Sequence, residues 1–382
     1  MAKGLNLGIQ GVDELADTRT SAESPRNEGD IRQKLVVAWQ EFLGVPSIGL
    51  DENYFDLGGD SLTAVRLFTE IEKLFQIKLP LATLFEAPTI RELVTVVEKA
   101  ATTSGWSTLV QVQTSGSRPP FFCVHGAGGN VLIYRDLSMH LGTDQPFYGL
   151  QAQGLDGKQP VLTKIEDMAA RYIDDMRKVQ PHGPYLLGGY CMGGTIAYEM
   201  AQQLTAAGER VALLALFDTI NWCQIPLPGI WGKTYFSIER LFYHAANFAR
   251  LRPAGWKKFF REKLKVTRNR IPVWRGLLLS EFATRSDVAG SEARLLGKIW
   301  KANDRACVKY VAQPYPGKVT DFRPIKQYRL YRKPDAKWDQ LAQAGQKTVI
   351  LPVYPAGMLV QPFVESLAQA LRHSIDEALC AS

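Results

Sequence analysis

Five cysteines and five histidines in 382 residues leave little material for metal or disulfide chemistry. The cysteines, at positions 123, 191, 223, 307 and 380, are odd in number and show no CxxC or other paired spacing. That pattern speaks against a zinc site and against the disulfide framework of a small secreted domain. No metal ligand set is expected, and a reducing cytoplasm is the natural setting. Long apolar runs are also missing. The opening MAKGLNLGIQGVDELADT has no signal core, and the most apolar stretch, VALLALF, is only strand-sized. Neither secretion nor membrane spanning is expected. The chain contains no internal repeat and no low-complexity tract.

What is present is a core-forming composition, 46% hydrophobic, in a chain long enough for two or three domains. The net charge of +7 is uneven, because residues 221–300 hold fifteen Lys or Arg against five acids. Such a segment reads either as a solvated helical face or as an anion-binding or docking surface. Trp256 and Trp274 lie within it but form no evident stacking platform, so nucleic acid is not an expected partner.

Along the chain, residues 1–30 lack apolar periodicity and read as a linker or tail. From 31 to 100 the period is helical. IRQKLVVAWQEFL places Ile31, Leu35, Val36, Trp39, Phe42 and Leu43 on one face, and TIRELVTVVEKA starts with Thr89 and Glu92 in a capping box. Residues 101–118 read as a linker running into a first strand, TLVQVQ. From 119 to 382, apolar strands (FFCVH, FYGLQA, PYLLGGY, VALLALFD, KTVILPV) alternate with helical stretches, the signature of a parallel sheet covered on both faces. Residues from about 221 to 296 break this rhythm and read as a helical insertion over the sheet's carboxyl edge. The expected fold is a small all-α bundle followed by an α/β domain with a helical lid.

Two stretches carry chemistry. In YFDLGGDSL, Ser61 follows a Gly-Gly-Asp turn at the start of an amphipathic helix, where a hydroxyl is exposed. Capping by Asp60 and Ser61 alone would explain an isolated GGDSL. Over some 70 residues, however, the stretch resembles the peptidyl carrier domains of nonribosomal peptide synthetases. The resemblance implies that Ser61 bears a covalent 4'-phosphopantetheine arm, installed by a phosphopantetheinyl transferase, that holds a peptidyl thioester.

The second stretch, PYLLGGYCMGGTIAYEM, reads strand, tight turn, helix, with Cys191 in the middle of a Gly-x-Cys-x-Gly elbow. The helix behind Cys191 offers dipole and free N–H groups, which are expected to lower the thiol pKa and to bind an oxyanion through Met192 N–H. Ala127, in the Gly-rich turn HGAGGN, is the expected second donor. Asp218 ends the apolar strand VALLALFD, a costly place for an unused charge. Residues 108–379 resemble the type I thioesterase domains that end nonribosomal and polyketide assembly lines, which have an α/β-hydrolase fold and a Ser, Asp, His triad. By that resemblance Cys191 is the nucleophile and Asp218 the acid, and upstream condensation and adenylation domains are the expected partners.

The base departs from the family pattern. In PVYPAGMLVQP, aligned on Pro352, Met358, Leu359 and Pro362, the histidine position holds Pro355. His244 in the basic insertion and His125 in the Gly-rich turn are the candidates for a relocated base, beside a site with no histidine base at all. A thiol tolerates that loss better than a hydroxyl. The cysteine form resembles the release domains of β-lactone and β-lactam pathways such as those of obafluorin and sulfazecin, which implies release by an internal amine or hydroxyl. Arg240, Asn247, Arg250 and Arg252 are candidates for contact with an anionic substrate group. Hydrolytic or macrocyclising release, and a non-catalytic docking module, stay open as alternatives.

Overall fold

The computed structural model describes residues 28–100, 107–221, 230–250, 288–328, 338–355 and 357–380. Its first part is a four-helix unit: α1 (Glu28–Leu43), α2 (Ser61–Phe75), α3 (Thr83–Glu86) and α4 (Ile90–Ala100). The periodic residues of α1 do face the core. Ile31, Leu35, Trp39 and Leu43 are buried, and Trp39 meets Tyr54 edge-on with ring centroids 5.4 Å apart. The capping box forms: Thr89 N–H donates to Glu92 Oε2 at 3.1 Å and Glu92 N–H donates to Thr89 Oγ1 at 3.3 Å. Between α1 and α2, the Gly58-Gly59-Asp60 turn wraps the ring of buried Tyr54. A Cβ on Gly59 would overlap that ring, and the Tyr54 hydroxyl donates to Asp60 O at 3.0 Å. Asp60 Oδ1 accepts from Thr63 N–H at 2.7 Å and caps α2, so Ser61 stands as the first residue of a fixed helix end.

The second part is a seven-stranded sheet in the order β1-β3-β2-β4-β5-β6-β7. Its strands are β1 (Leu109–Gln113), β2 (Phe121–Val124), β3 (Phe147–Leu150), β4 (Tyr185–Tyr190), β5 (Val211–Phe217), β6 (Val319–Pro324) and β7 (Gln346–Leu351). All neighbours pair in parallel except β1 with β3, which is antiparallel. The expected parallel sheet is therefore mixed, as in open α/β sheets that add an antiparallel strand at one edge. The helices are α5 (Arg135–Leu141), α6 (Ile165–Arg177), α7 (Met192–Ala206), α8 (Ile230–Ala249), α9 (Val288–Lys309) and α10 (Val364–Cys380). One buried cluster joins the sheet to α6 and α7 through Met168, Tyr172, Ile196 and Met200. A second joins it to α5 and α10 through Leu137, Leu141, Leu367 and Leu371. With both faces covered, the carboxyl ends of the parallel strands are the open edge where such folds bind ligands.

Two differences from expectation follow from local chemistry. Strand β6, VTDFRP, has too few apolar residues to read as a buried strand, yet Asp321 within it is fully buried, held by Arg323 and by Gln346 Nε2 at 2.9 Å. The helix α9 runs through the expected lid boundary at 296, so that boundary falls inside one continuous element. Residues 222–229 and 251–287, most of the expected lid, lie outside the described residues.

The helical unit touches the sheet unit. Arg135 at the start of α5 pairs with Asp56 at 3.1 Å and lies over the Phe55 ring at 4.3 Å. Phe55 in turn stacks on Phe85, and Leu132 is buried within the apolar cluster of the helical unit. No helix among the described residues is long and apolar enough to cross a membrane.

Candidate active site

The sheet brings Cys191 and Asp218 to one edge. Strand β4 leads straight into α7 through Cys191, whose backbone sits at φ 55°, ψ −117°. That is a strained conformation for a side-chain-bearing residue, and it is the geometry of a nucleophile elbow. The surrounding glycines permit it. A Cβ on Gly189 would overlap the Gly193 backbone, one on Gly193 would overlap Val124 O, and one on Gly194 would overlap the Thr219 side chain. Gly189→Ala is accordingly expected to cost at least about 1–3 kcal/mol, since backbone and not a flexible side chain blocks the new methyl. Thermal melting checks it; an unchanged midpoint would count against the elbow.

Cys191 N–H donates to Phe217 O at 2.9 Å, which sets the elbow beside the end of β5. Asp218 follows Phe217 at φ 43° and is held by its own N–H donating to Phe322 O at 2.9 Å. The two functional groups thus occupy neighbouring strand tips, with Tyr190 and Phe217 in register just before them.

The electrostatics correct one expectation. Burial pushes the Cys191 thiol up to about 12, and the charges of Asp218 and Asp304 push in the same direction. Met192 N–H donates to the thiol and opposes them without prevailing. The helix N-terminus therefore does not produce a resting thiolate, because a nearby carboxylate and loss of water outweigh one backbone donor. Asp218 shifts in the same direction: burial first, then the charge of Asp321, raise its carboxyl to about 7 against the opposing pull of Arg323.

The histidines sort cleanly. His125 is fully buried; its Nε2 meets the Tyr172 hydroxyl at 2.7 Å and its Nδ1 meets Gly126 O at 2.7 Å. Burial drives its pKa down to about 4, so it is a neutral strut of the turn. His182 and His373 lie against Glu209 and Glu377 at the surface, and His140 meets Gln361. His244 is half-buried on α8, three residues before Asn247.

Asn247 and Arg250, both candidates for substrate contact, hold the loop that carries Pro355. Asn247 is buried, accepts from Tyr354 N–H at 2.9 Å and donates to Tyr354 O at 3.2 Å, so its amide clamps the 352–358 loop. Arg250 lies over the Tyr354 ring at 4.8 Å and donates to Pro352 O at 3.3 Å. Arg240 is exposed on α8, and Arg252 lies outside the described residues. Tyr243 completes the join by stacking on Tyr354, with centroids 5.5 Å apart.

The wall near Cys191 comes from α9, which sequence reasoning missed. Asn303 Nδ2 donates to Ala127 O at 2.9 Å, and a Cβ on Gly128 would lie 3.6 Å from the Trp300 ring. Asp304 and Cys307 lie close enough to interact electrostatically with Cys191. Trp300, Asn303, Asp304 and Cys307 recur at helical spacing, a pattern visible in the sequence, but nothing there says which way the face points. Among the described residues, no group of three or more His, Cys, Asp or Glu could hold a metal ion.

Comparison with known proteins agrees with this geometry. Residues 119–221 match the thioesterase domain family, and residues 33–97 match the phosphopantetheine attachment site family. The chain therefore carries a phosphopantetheine attachment region, with the group bound covalently to a serine, followed by a region that matches the thioesterase domain family. It is 44% identical over 199 residues to malpinin synthetase of Mortierella alpina, covering 52% of this chain and 2% of that protein. It is 43% identical over 180 residues to the dimodular nonribosomal peptide synthase of Bacillus subtilis (strain 168), covering 47% and 8%. Against indigoidine synthase of Dickeya dadantii (strain 3937) the identity is 39% over 193 residues, covering 50% and 13%. The chain thus spans a small fraction of the length of these relatives. A crystal structure of a holo four-domain nonribosomal peptide synthetase bound to AMP and glycine superposes with a TM-score of 0.57 at 24% identity, covering 94% of this chain and 27% of that one. That likeness is one of fold.

Proposed function

We propose that this chain is a carrier and thioesterase segment of a nonribosomal peptide synthetase, releasing a peptide by acyl transfer through Cys191. Ser61, at the capped start of α2 behind the Gly58-Gly59 turn, is the attachment serine. The phosphopantetheine arm supplies the flexible thiol that carries the peptide as a thioester. Upstream condensation and adenylation domains build that peptide, and a phosphopantetheinyl transferase loads the arm.

The observation that carries the reading is the positive-φ elbow that places Cys191 beside Asp218. Cys191 attacks the carrier thioester as Asp218 accepts the thiol proton, and the developing oxyanion falls to Met192 N–H and Ala127 N–H; the acyl bond to the carrier sulfur then breaks and Asp218 returns the proton to that departing sulfur. His244 is the alternative proton acceptor, three residues from Asn247, whose amide donates to Pro355 O at 3.5 Å. Exchange of one thioester for another keeps the peptide activated, which favours release by an internal nucleophile and a cyclic product, of β-lactam or β-lactone type. The basic residues of the lid suit an anionic group on the peptide. Hydrolysis or macrocyclisation would show as a different product mass, and a docking module would release nothing.

Two variants test this. Ser61→Ala is expected to fold, because the change lies at a helix start, and to gain no phosphopantetheine mass when incubated with coenzyme A and the transferase. Mass gain in the variant would place the arm elsewhere. His244→Ala is expected to keep release within about tenfold if Asp218 is the acceptor, whereas loss of about a hundredfold or more, the usual general-base contribution, assigns the base to His244.

A further inference from the structure

An acyl group on Cys191 needs an acceptor, and the α9 wall bears on what that acceptor is. Asn303 is 1% exposed, and its Nδ2 is committed to Ala127 O. Its Oδ1 has no hydrogen-bond partner among the described residues. A buried acceptor left unpaired is a standing cost, and where it persists against the turn that holds an expected oxyanion donor it points to a donor that arrives with the substrate. One residue on, Asp304 stands at the solvent edge of the same helix face, accepting from the Trp300 indole. Its charge opposes ionisation of the nucleophile, so it does nothing for the loading step. The groups that line this side are thus hydrogen-bond acceptors, while the donors, Met192 N–H and the Ala127 turn, lie on the oxyanion side.

We propose that Asn303 and Asp304 form the subsite for the acyl acceptor and that this acceptor is a primary amine. The inference rests on the acyl-enzyme reading above. A primary amine brings two N–H hydrogens, one for Asn303 Oδ1 and one for the Asp304 carboxylate; a hydroxyl brings one and leaves an acceptor unpaired. The nitrogen lone pair attacks the Cys191 thioester carbonyl, the C–N bond forms and the C–S bond breaks. One amine proton passes to Asp304 and from there to the departing sulfur, so that thioester and amine become amide and thiol with no net change in protons. Asn303 also positions the turn that holds Ala127, which ties acceptor binding to the oxyanion side.

The test uses the full chain with an acyl-N-acetylcysteamine thioester as donor, and benzylamine and benzyl alcohol as competing acceptors. Amide, ester and acid are separated by chromatography while intact-protein mass spectrometry follows the acyl group on Cys191. The wild-type chain is expected to form amide in preference to ester. Asp304→Asn is expected to lower the ratio of amide to acid by about a hundredfold, and Asp304→Glu to recover most of it. The recovery separates proton acceptance from a merely structural role. An acyl-Cys191 that forms but gives the same ratio in both variants, or that goes to ester or acid alone in the wild-type chain, overturns the amine subsite and leaves the acyl-enzyme reading intact. Absence of any acyl group on Cys191 overturns both.

Discussion

Cys191→Ser is expected to slow acyl loading from the carrier by at least about a hundredfold, to release little cyclic product and to leave the peptide on Ser61. The substitution keeps the elbow, the N–H donors and nearly the same volume. It changes how readily the proton leaves. The thiol is already pushed up to about 12 by burial and by two carboxylates, and a hydroxyl in the same surroundings starts several units higher. Asp218, at about 7, is matched to share a proton with sulfur during attack far better than with an alcohol oxygen. Any chain that does load becomes an oxoester, a poorer donor to an internal amine, so leakage to linear acid takes a larger share. Product chromatography with the acyl state of Ser61 over time checks this. Cyclic product at the wild-type rate would mean that an imidazole serves the site and that sulfur is incidental.

Asp218→Asn is expected to reduce release by about a thousandfold or more while making the fold more stable at pH 8. The loss follows from removing the group that takes the thiol proton, and effects of this size are common when the carboxylate of a catalytic constellation is neutralised. The gain in stability follows from the sign of the shift. Asp218 has a folded pKa of about 7, above its ordinary value of 3.8, because burial and Asp321 disfavour its charge. The protonated form is the one the fold prefers, so this residue's contribution is most favourable below pH 4 and is lost as pH rises through about 7. Asparagine never ionises and escapes that loss. For activity the direction reverses: the wild-type rate should climb with pH through about 7, as Asp218 becomes able to accept a proton. A variant that melts earlier at pH 8, or a flat pH profile across 6 to 8, would remove Asp218 from this role.

The sequence was most readable where local pattern and burial agree. Strands β2 to β5 are near-continuous apolar runs, and the elbow, the Thr89 capping box and the helix behind Ser61 follow from short-range rules of spacing and turn chemistry. It was least readable where a residue's role depends on a partner far along the chain. Strand β6 hides because Asp321 and Arg323 satisfy each other inside the sheet. The loop clamp formed by the Asn247 amide is hidden because its partner lies 107 positions away. The α9 face looks like ordinary helix surface, since the contact that orients it, Asn303 with Ala127, spans 176 positions. The raised thiol pKa was illegible for the same reason: the helix dipole is local, but the carboxylates that overrule it come from β5 and α9.

The contact between Arg135 and Asp56 bears on how the two units hold together. Asp56 is 72% exposed, so the pair sits in high dielectric and contributes no more than about 1 kcal/mol, weakened further by salt. As a bimolecular contact it would be negligible. Here a linker ties the two surfaces together, and tethering of this kind supplies local concentrations on the order of millimolar. Such a contact, added to the packing of Leu132 into the helical unit and to the Phe55–Phe85 stack, is weak by itself and makes the hold between the two units sensitive to salt.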